Sequence, residues 1–446
     1  MTILDEYSTR FAGSRAMHEK ARTVLPGGLS HDLRHMRPFP VFVDRAAGSR
    51  KWDVDGHELI CYHMGHGALL LGHSHPAIVR AVAEQAGRGM HFGAEHPLEI
   101  DWAAQIVSMV PSAERVRFTS SGTEASMLAL QLARAVTQRE KVLKFAYHFH
   151  GWHDAAYVGV DVPVAHPSTG GSQHTCAGVV LAPVNDVAFA EQALATDPDI
   201  AAVILEPSGA SWGTIPLPQG MLERLRAATS RHGALLIFDE VITGFRWAPG
   251  GVQQLSGVTP DLTVLAKIIA GGMPGGAVVG RANVMEHLEF RDDPAWRKVK
   301  HPGTHNAHPV SAAAGLACLR LIADGAAQRR AGATASQLRS GWNAILRRLG
   351  VPGEAYGQSS DVHLVLGRGT PPDGDVRDPG LDPAVLKRGI PDELAAPLHC
   401  GMLLEGVHLF HGGGLVSAVH DERDVEQTLD AFEKTLRRMR AEGLLP

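Results

Sequence analysis

The stretch "ALLIFDE" (234–240), with "LTVLAKIIAGGMPGG" (262–276) after it, sets the architecture. Residues 234–238 are continuously apolar rather than alternating, which marks a strand buried on both faces, as in a parallel sheet. Asp239 ends that strand. The second apolar run ends the same way, delivering Lys267 into a glycine-rich turn. Ligands of open α/β sheets bind outside the carboxyl ends of the strands. An acid and an amine presented together at that edge suit pyridoxal phosphate (PLP), with the lysine for a Schiff base and the aspartate for the pyridinium nitrogen.

Outward from these runs, short apolar segments alternate with longer helical ones between about residues 110 and 285. Strands are expected at 116–119, 141–146, 178–184, 201–205, 234–238, 262–266 and 277–279. Residues 219–232 place Leu222 and Leu225 on one helical face and stop at Gly233, a suitable C-cap. Strand, helix, strand at this spacing predicts a mostly parallel α/β sheet. The first ~70 residues differ: a helical start, a break at Pro26-Gly27-Gly28, then short strands that turn at Asp55-Gly56. After about residue 310 a helix (310–323) leads into a smaller mixed region, in which the Pro/Gly/Asp-rich 369–383 reads as a surface loop.

At 446 residues the chain suits two or three lobes. Its net charge of −5 leaves no broad footprint for nucleic acid or an anionic membrane. No apolar run approaches the roughly 20 residues of a membrane span, and the N-terminus lacks a secretory pattern. Cys61, Cys176, Cys318 and Cys400 are scattered, without metal-site or disulfide spacing, so a reducing cytoplasm is expected.

Further residues join the pair. "RFTSSGTEA" places Ser121-Gly122-Thr123 between a strand end and a helix, where N–H groups and hydroxyls suit a phosphate. Alone, the same turn is an ordinary N-cap. Asp239 by itself is as readily half of a structural ion pair, and Lys267 a surface lysine, although its apolar lead-in argues for burial and a lowered pKa. Val241 and Phe149 suit the two faces of a ring, or simply the core. The histidines of "HGHSHP" (His73, His75, with His66 upstream) and "HFHGWH" (His148, His150, His153) lack zincin spacing and cysteine partners. They read as loop and turn histidines, with no metal expected. No strand is followed by G-x-G-x-x-G, which disfavours a nicotinamide cofactor.

Taken together, "LPGG", "WDVDG", "LGHSHP", "RFTSSGTEA", "HGWHD", "VILEP", "LLIFDEVITGFR", "PDLTVLAKIIAGGMPGGAVVG" and "GTHNAHP" resemble the class III PLP-dependent aminotransferases, nearly end to end. The branch is that of the glutamate-1-semialdehyde aminomutases. Within it, "HGHGALLLGHSHP", "HFHGWHD" and "LEGVHLF" are most similar to the D-phenylglycine aminotransferase type.

The resemblance implies an α/β chain of PLP fold type I. Its large domain would carry a mostly parallel central sheet flanked by helices, and a small α+β domain would form from both chain ends. The corresponding divisions are 1–70, 71–315 and 316–446. It also implies that Lys267 and Asp239 are catalytic, and that Ser121, Gly122 and Thr123 hold the phosphate. Phe149 would stack on the ring, and Glu206 and Val241 would lie close by. Thr304 would reach the phosphate of a neighbouring subunit's cofactor in a homodimer with shared sites. Arg34 would bind a substrate carboxylate, with His66 in the substrate pocket. The activity implied is ping-pong transfer from an amino acid, aromatic or of D or β type, to a 2-oxo acid; the alternative is an aminomutase- or racemase-like isomerase. Departures from the mutase favour transfer: His66 stands in place of a tryptophan and Ser211 in place of an asparagine. The stretch at 157–171 lacks a Gly-Ser gating pattern, and "GTHNAHP" replaces "GTLSGNP".

Overall fold

A computed structural model describes residues 1–164 and 168–446. The chain forms two compact units. One contains Gly67–Leu69 and Pro76–Gln328; the other contains Met1–His66, Leu70–His75 and Arg329–Pro446. Strands are numbered along the chain.

The first unit is built on seven strands: β4 (Arg115–Thr119), β5 (Lys141–Phe145), β6 (Val179–Ala182), β7 (Ile200–Leu205), β9 (Leu235–Asp239), β10 (Leu262–Ala266) and β11 (Gly276–Gly280). Their order is β4-β11-β10-β9-β7-β5-β6. Pairing is parallel throughout except at β11, which runs antiparallel to both β10 and β4. A two-residue strand, β8 (Ile215–Pro216), bridges back to Gly209 and Ala210.

Both faces of the sheet are covered, which is why its central strands β7, β9 and β10 are almost continuously apolar. Ile237 and Val264 pack into a core with Ala125, Leu128 and Leu132 of the helix Gly122–Thr137. Leu236 and Phe238, pointing the other way, join Leu222 and Leu225 of the helix Met221–His232. That helix ends on Gly233 in the left-handed conformation, φ 66°. The turn after β10, Lys267–Ala270, is braced from outside the sheet. The Trp102 indole N–H donates to the Ile269 carbonyl at 2.9 Å. The helix Pro309–Ile322 approaches so closely that a Cβ on Gly315 would lie 2.3 Å from the same oxygen.

The second unit holds a four-stranded sheet of β1 (Val43–Ala47), β2 (Arg50–Asp53), β3 (Glu58–Cys61) and β14 (Val407–His408), in that order. The β2–β3 hairpin turns at Gly56, φ 88°, and the Asp53 carboxylate accepts from the Asp55 and His57 N–H groups inside it. A second sheet joins β12 (Gly353–Tyr356), β13 (Asp361–Leu366) and β15 (Gly414–Leu415). Ile3, Tyr7 and Phe11 share one core with Trp342, Phe432 and Met439, so the two chain ends fold together. Among the described residues, no single helix is long and apolar enough to cross a membrane.

Candidate active site

Parallel pairing of β9 with β10 puts the ends of both strands on one edge, with Asp239 opposite Val264 and Lys267 just beyond β10. Asp239 is buried. Its Oδ1 accepts from the Val241 N–H at 3.1 Å, and its Oδ2 lies 2.8 Å from His150 Nδ1. Burial raises its pKa to about 7, against the opposing pull of the Val241 N–H, Lys267 and Lys144. Lys267 adopts φ 57°; its side chain makes no hydrogen bond among the described residues, and part of its surface stays open. Burial lowers its amine to about 8, although the charges of Asp239 and Glu206 act the other way. A strand-end lysine in this state is a competent nucleophile. Because only the neutral amine attacks, the apo-protein should capture PLP faster as pH rises to about 8, then level off. Stopped-flow absorbance checks this; a rate still climbing close to tenfold per pH unit between about pH 8 and 9 would mark an ordinary lysine.

Ser121 caps the helix Gly122–Thr137, its hydroxyl accepting from the Glu124 N–H at 3.2 Å. The ordinary N-cap and the phosphate reading therefore coexist at one turn. Gly122 is tightly confined: a Cβ there would lie 2.9 Å from Val241 Cγ2. Thus Val241, placed by β9, walls the floor of the turn after β4.

Glu206, at the end of β7, is a buried bracket for backbone. It accepts from the Phe149 and Ser211 N–H groups, each at 2.9 Å, and from Trp212 at 2.7 Å. Burial first, then the charge of Asp239, raise its pKa to about 7 despite those three donors. Ser211 and Trp212 both adopt positive φ, 52° and 51°, so the carboxylate fixes a strained pair. Phe149 leaves its ring 45% exposed. Thr304 is exposed too, and its carbonyl lies 2.6 Å from His91 Nε2.

Arg34 and His66 belong to the other unit, where they line one cavity with Phe410. Arg34 Nη1 donates to the Ser30 hydroxyl at 3.1 Å, and His66 lies against His31 and Phe410 at ring distances of 4.9 and 5.3 Å. Residues 165–167, inside the stretch compared with a gating loop, lie outside the described residues.

The histidines of "HFHGWH" lie in a loop, as expected, and two of them, His148 and His150, are interior residues attached to the site carboxylates. His148 Nδ1 accepts from the Glu206 N–H at 3.0 Å, and His150 backs Asp239. Burial holds His150 well below the usual histidine pKa, so it is neutral and donates through Nδ1–H. The available signal was position: the loop follows the carboxyl end of β5. A His150→Phe change removes this donor while keeping a planar ring. We expect kcat/KM to fall about 10- to 100-fold, the worth of a hydrogen bond to a charged group. Steady-state kinetics alongside a PLP titration would measure it.

The amine lacking a hydrogen bond, the acid beside it and a helix start walled by Val241 fit PLP. Residues 33–354 match the family described as Aminotransferase class-III. The chain belongs to that family. As a class-III enzyme, it has PLP as its cofactor and the α/β architecture of fold type I. It is 37% identical over 441 residues to glutamate-1-semialdehyde 2,1-aminomutase of Methanothrix thermoacetophila, covering 95% of this chain and 96% of that one. Its structure is similar to an omega-transaminase from Sphaerobacter thermophilus, with TM-score 0.86 and 34% identity over 96% of this chain and 98% of the other. A beta-phenylalanine aminotransferase from Variovorax paradoxus follows at TM-score 0.83 and 30% identity, over 100% and 97%. By name, the sequence relative favours the isomerase alternative over transfer.

Proposed function

We propose that this class-III enzyme is an aminotransferase moving an amino group from an amino acid to a 2-oxo acid by a ping-pong mechanism. The observation that carries the reading is Lys267: an amine lowered to about 8, without a hydrogen bond, flanked by Asp239 and Glu206. Bound PLP supplies an electron sink that acidifies the substrate's Cα–H. Lys267 Nζ takes that proton and later returns one. Asp239 holds charge at the pyridine nitrogen, with His150 behind it. Ser121, Gly122 and Thr123 hold the phosphate, joined by Thr304 of the neighbouring protomer in a homodimer. Phe149 and Val241 cover the ring faces, and Glu206 fixes the loop that carries Phe149. Arg34 binds the substrate carboxylate through its guanidinium, beside His66.

A second reading, an aminomutase-like isomerase on the same machinery, is supported by the names of the curated relatives. Transfer is supported by His66, where the mutases carry tryptophan, and by Ser211, whose hydroxyl donates to the Tyr147 carbonyl at 3.2 Å. The names of two structural neighbours point the same way, and one acts on β-phenylalanine. An aromatic or bulky amino donor of D or β type follows as the substrate class. Four buried, unpaired cysteines accord with a cytoplasmic setting.

The deciding experiment adds D-phenylglycine, β-phenylalanine or glutamate-1-semialdehyde singly to the holoenzyme without an acceptor. Transfer releases about one keto product per site and stops until a 2-oxo acid is supplied. Many turnovers of the semialdehyde without any acceptor would refute transfer in favour of isomerisation.

A further inference from the structure

Four cysteines are buried, but one differs in kind. Burial raises the thiol pKa of Cys176, and raises Cys318 and Cys400 each to about 12. Cys61 instead ends β3 beside a cavity of ≈ 290 Å³ that it lines together with Lys51, His63, His73 and His408. Lys51 sits on the neighbouring strand opposite Leu59, so it and Cys61 share one face of the β2–β3 ladder as diagonal neighbours. Lys51 is 6% exposed and, among the described residues, pairs with no carboxylate; burial lowers its pKa, and the Cys61 thiol is the group that acts the other way. A buried ammonium without a carboxylate is costly unless an anion faces it. The Cys61 sulfur is the group placed to supply one.

We propose that Cys61 is a modification site, a thiolate held by Lys51 that is oxidised by hydrogen peroxide ahead of every other cysteine in the chain. The thiolate sulfur attacks one peroxide oxygen. An S–O bond forms and the O–O bond breaks. Sulfur is oxidised by two electrons to a sulfenic acid and the peroxide is reduced. The departing hydroxide takes a proton from the Lys51 ammonium and leaves as water.

The surrounding charges agree with this. Burial pushes the Cys61 thiol up, but Lys51, then His73 and the Met64 N–H, more than offset that and bring it to about 6. His63 and His408 face the same space. Burial first, and Lys51 among the further causes, keeps both well below the usual histidine pKa, so they are neutral and leave Lys51 as the counter-charge. Only a small reagent reaches a sulfur that is 1% exposed, which favours peroxide over bulky oxidants. The cavity is the one that Arg34 and His66 also line, so Cys61 sits beside the proposed substrate pocket, although its oxidation requires no amino transfer.

The test treats the holoenzyme with hydrogen peroxide, quenches with catalase, unfolds in dimedone plus iodoacetamide and maps peptides by mass. Dimedone should label Cys61 at least about tenfold more than Cys176, Cys318 or Cys400. The labelling should fall as pH drops through about 6, and dithiothreitol added with the denaturant, ahead of dimedone, should abolish it. Lys51→Met should slow it about tenfold or more. Where that variant does not fold, the wild-type pH profile decides. Equal labelling of the four cysteines, or Cys61 labelling that appears only above pH 8, overturns the proposal.

Discussion

A Lys267→Ala variant should fold and bind PLP non-covalently, yet turn over at least about 10⁴-fold more slowly than the parent chain. The side chain makes no hydrogen bond among the described residues, so its removal breaks none. The 3-10 turn that carries it stays anchored through the Ile269 carbonyl on Trp102 and through close contact with the helix Pro309–Ile322. What disappears is the nucleophile and the proton carrier together. Borohydride should no longer fix the cofactor to the polypeptide, and the melting temperature of the apo-protein should change little. A variant that keeps more than a few per cent of parental kcat, with fixation at another lysine, would remove Lys267 from its assigned role.

Asp239→Asn is the second large effect. The amide is nearly isosteric: its single oxygen keeps the Val241 N–H, and its NH2 donates to His150 Nδ1 once the neutral ring switches tautomer. The difference lies in charge: an amide cannot hold a proton on the pyridine nitrogen, and the electron sink weakens. A loss of about 10²- to 10³-fold in kcat is expected, the scale set by removing one preorganised electrostatic partner. PLP affinity should fall much less. The split separates charge from packing. If kcat held while affinity collapsed, Asp239 would be a structural residue.

The parts of this site legible in the sequence are those whose chemistry is tied to a strand end. β10 was expected at 262–266 and forms there; β9 is displaced by one residue from 234–238, to Leu235–Asp239. Continuous apolar runs announce strands buried on both faces, and the residue after such a run falls at the ligand edge. Direction was not legible for β11, because an apolar pentapeptide reads alike both ways; its reversal follows from the short return after Lys267. For His148 and His150 the loop position was legible but their role was not, for another reason. Metal spacing was the test applied to them, while their partners, Glu206 and Asp239, are distant in sequence and meet them only across the sheet. For Glu206 the resemblance gave proximity. Its role as acceptor for three backbone N–H groups depends on left-handed residues at 211 and 212, which carry no glycine to announce them.

The antiparallel return of β11 has a mechanical corollary. Ala266 faces Gly276 as a ladder pair, so the segment bearing the reactive amine is cinched at its base by two strands of one sheet. Most catalytic loops lead into a long crossover and inherit its fluctuations; this one is closed on itself like a buckle. Substitutions in the outer helices away from Trp102 and Gly315, which touch this turn, should therefore leave the amine where it is. Amide exchange at 266 and 276 should be among the slowest in the molecule, making this loop a fixed datum about which the specificity loops can diverge.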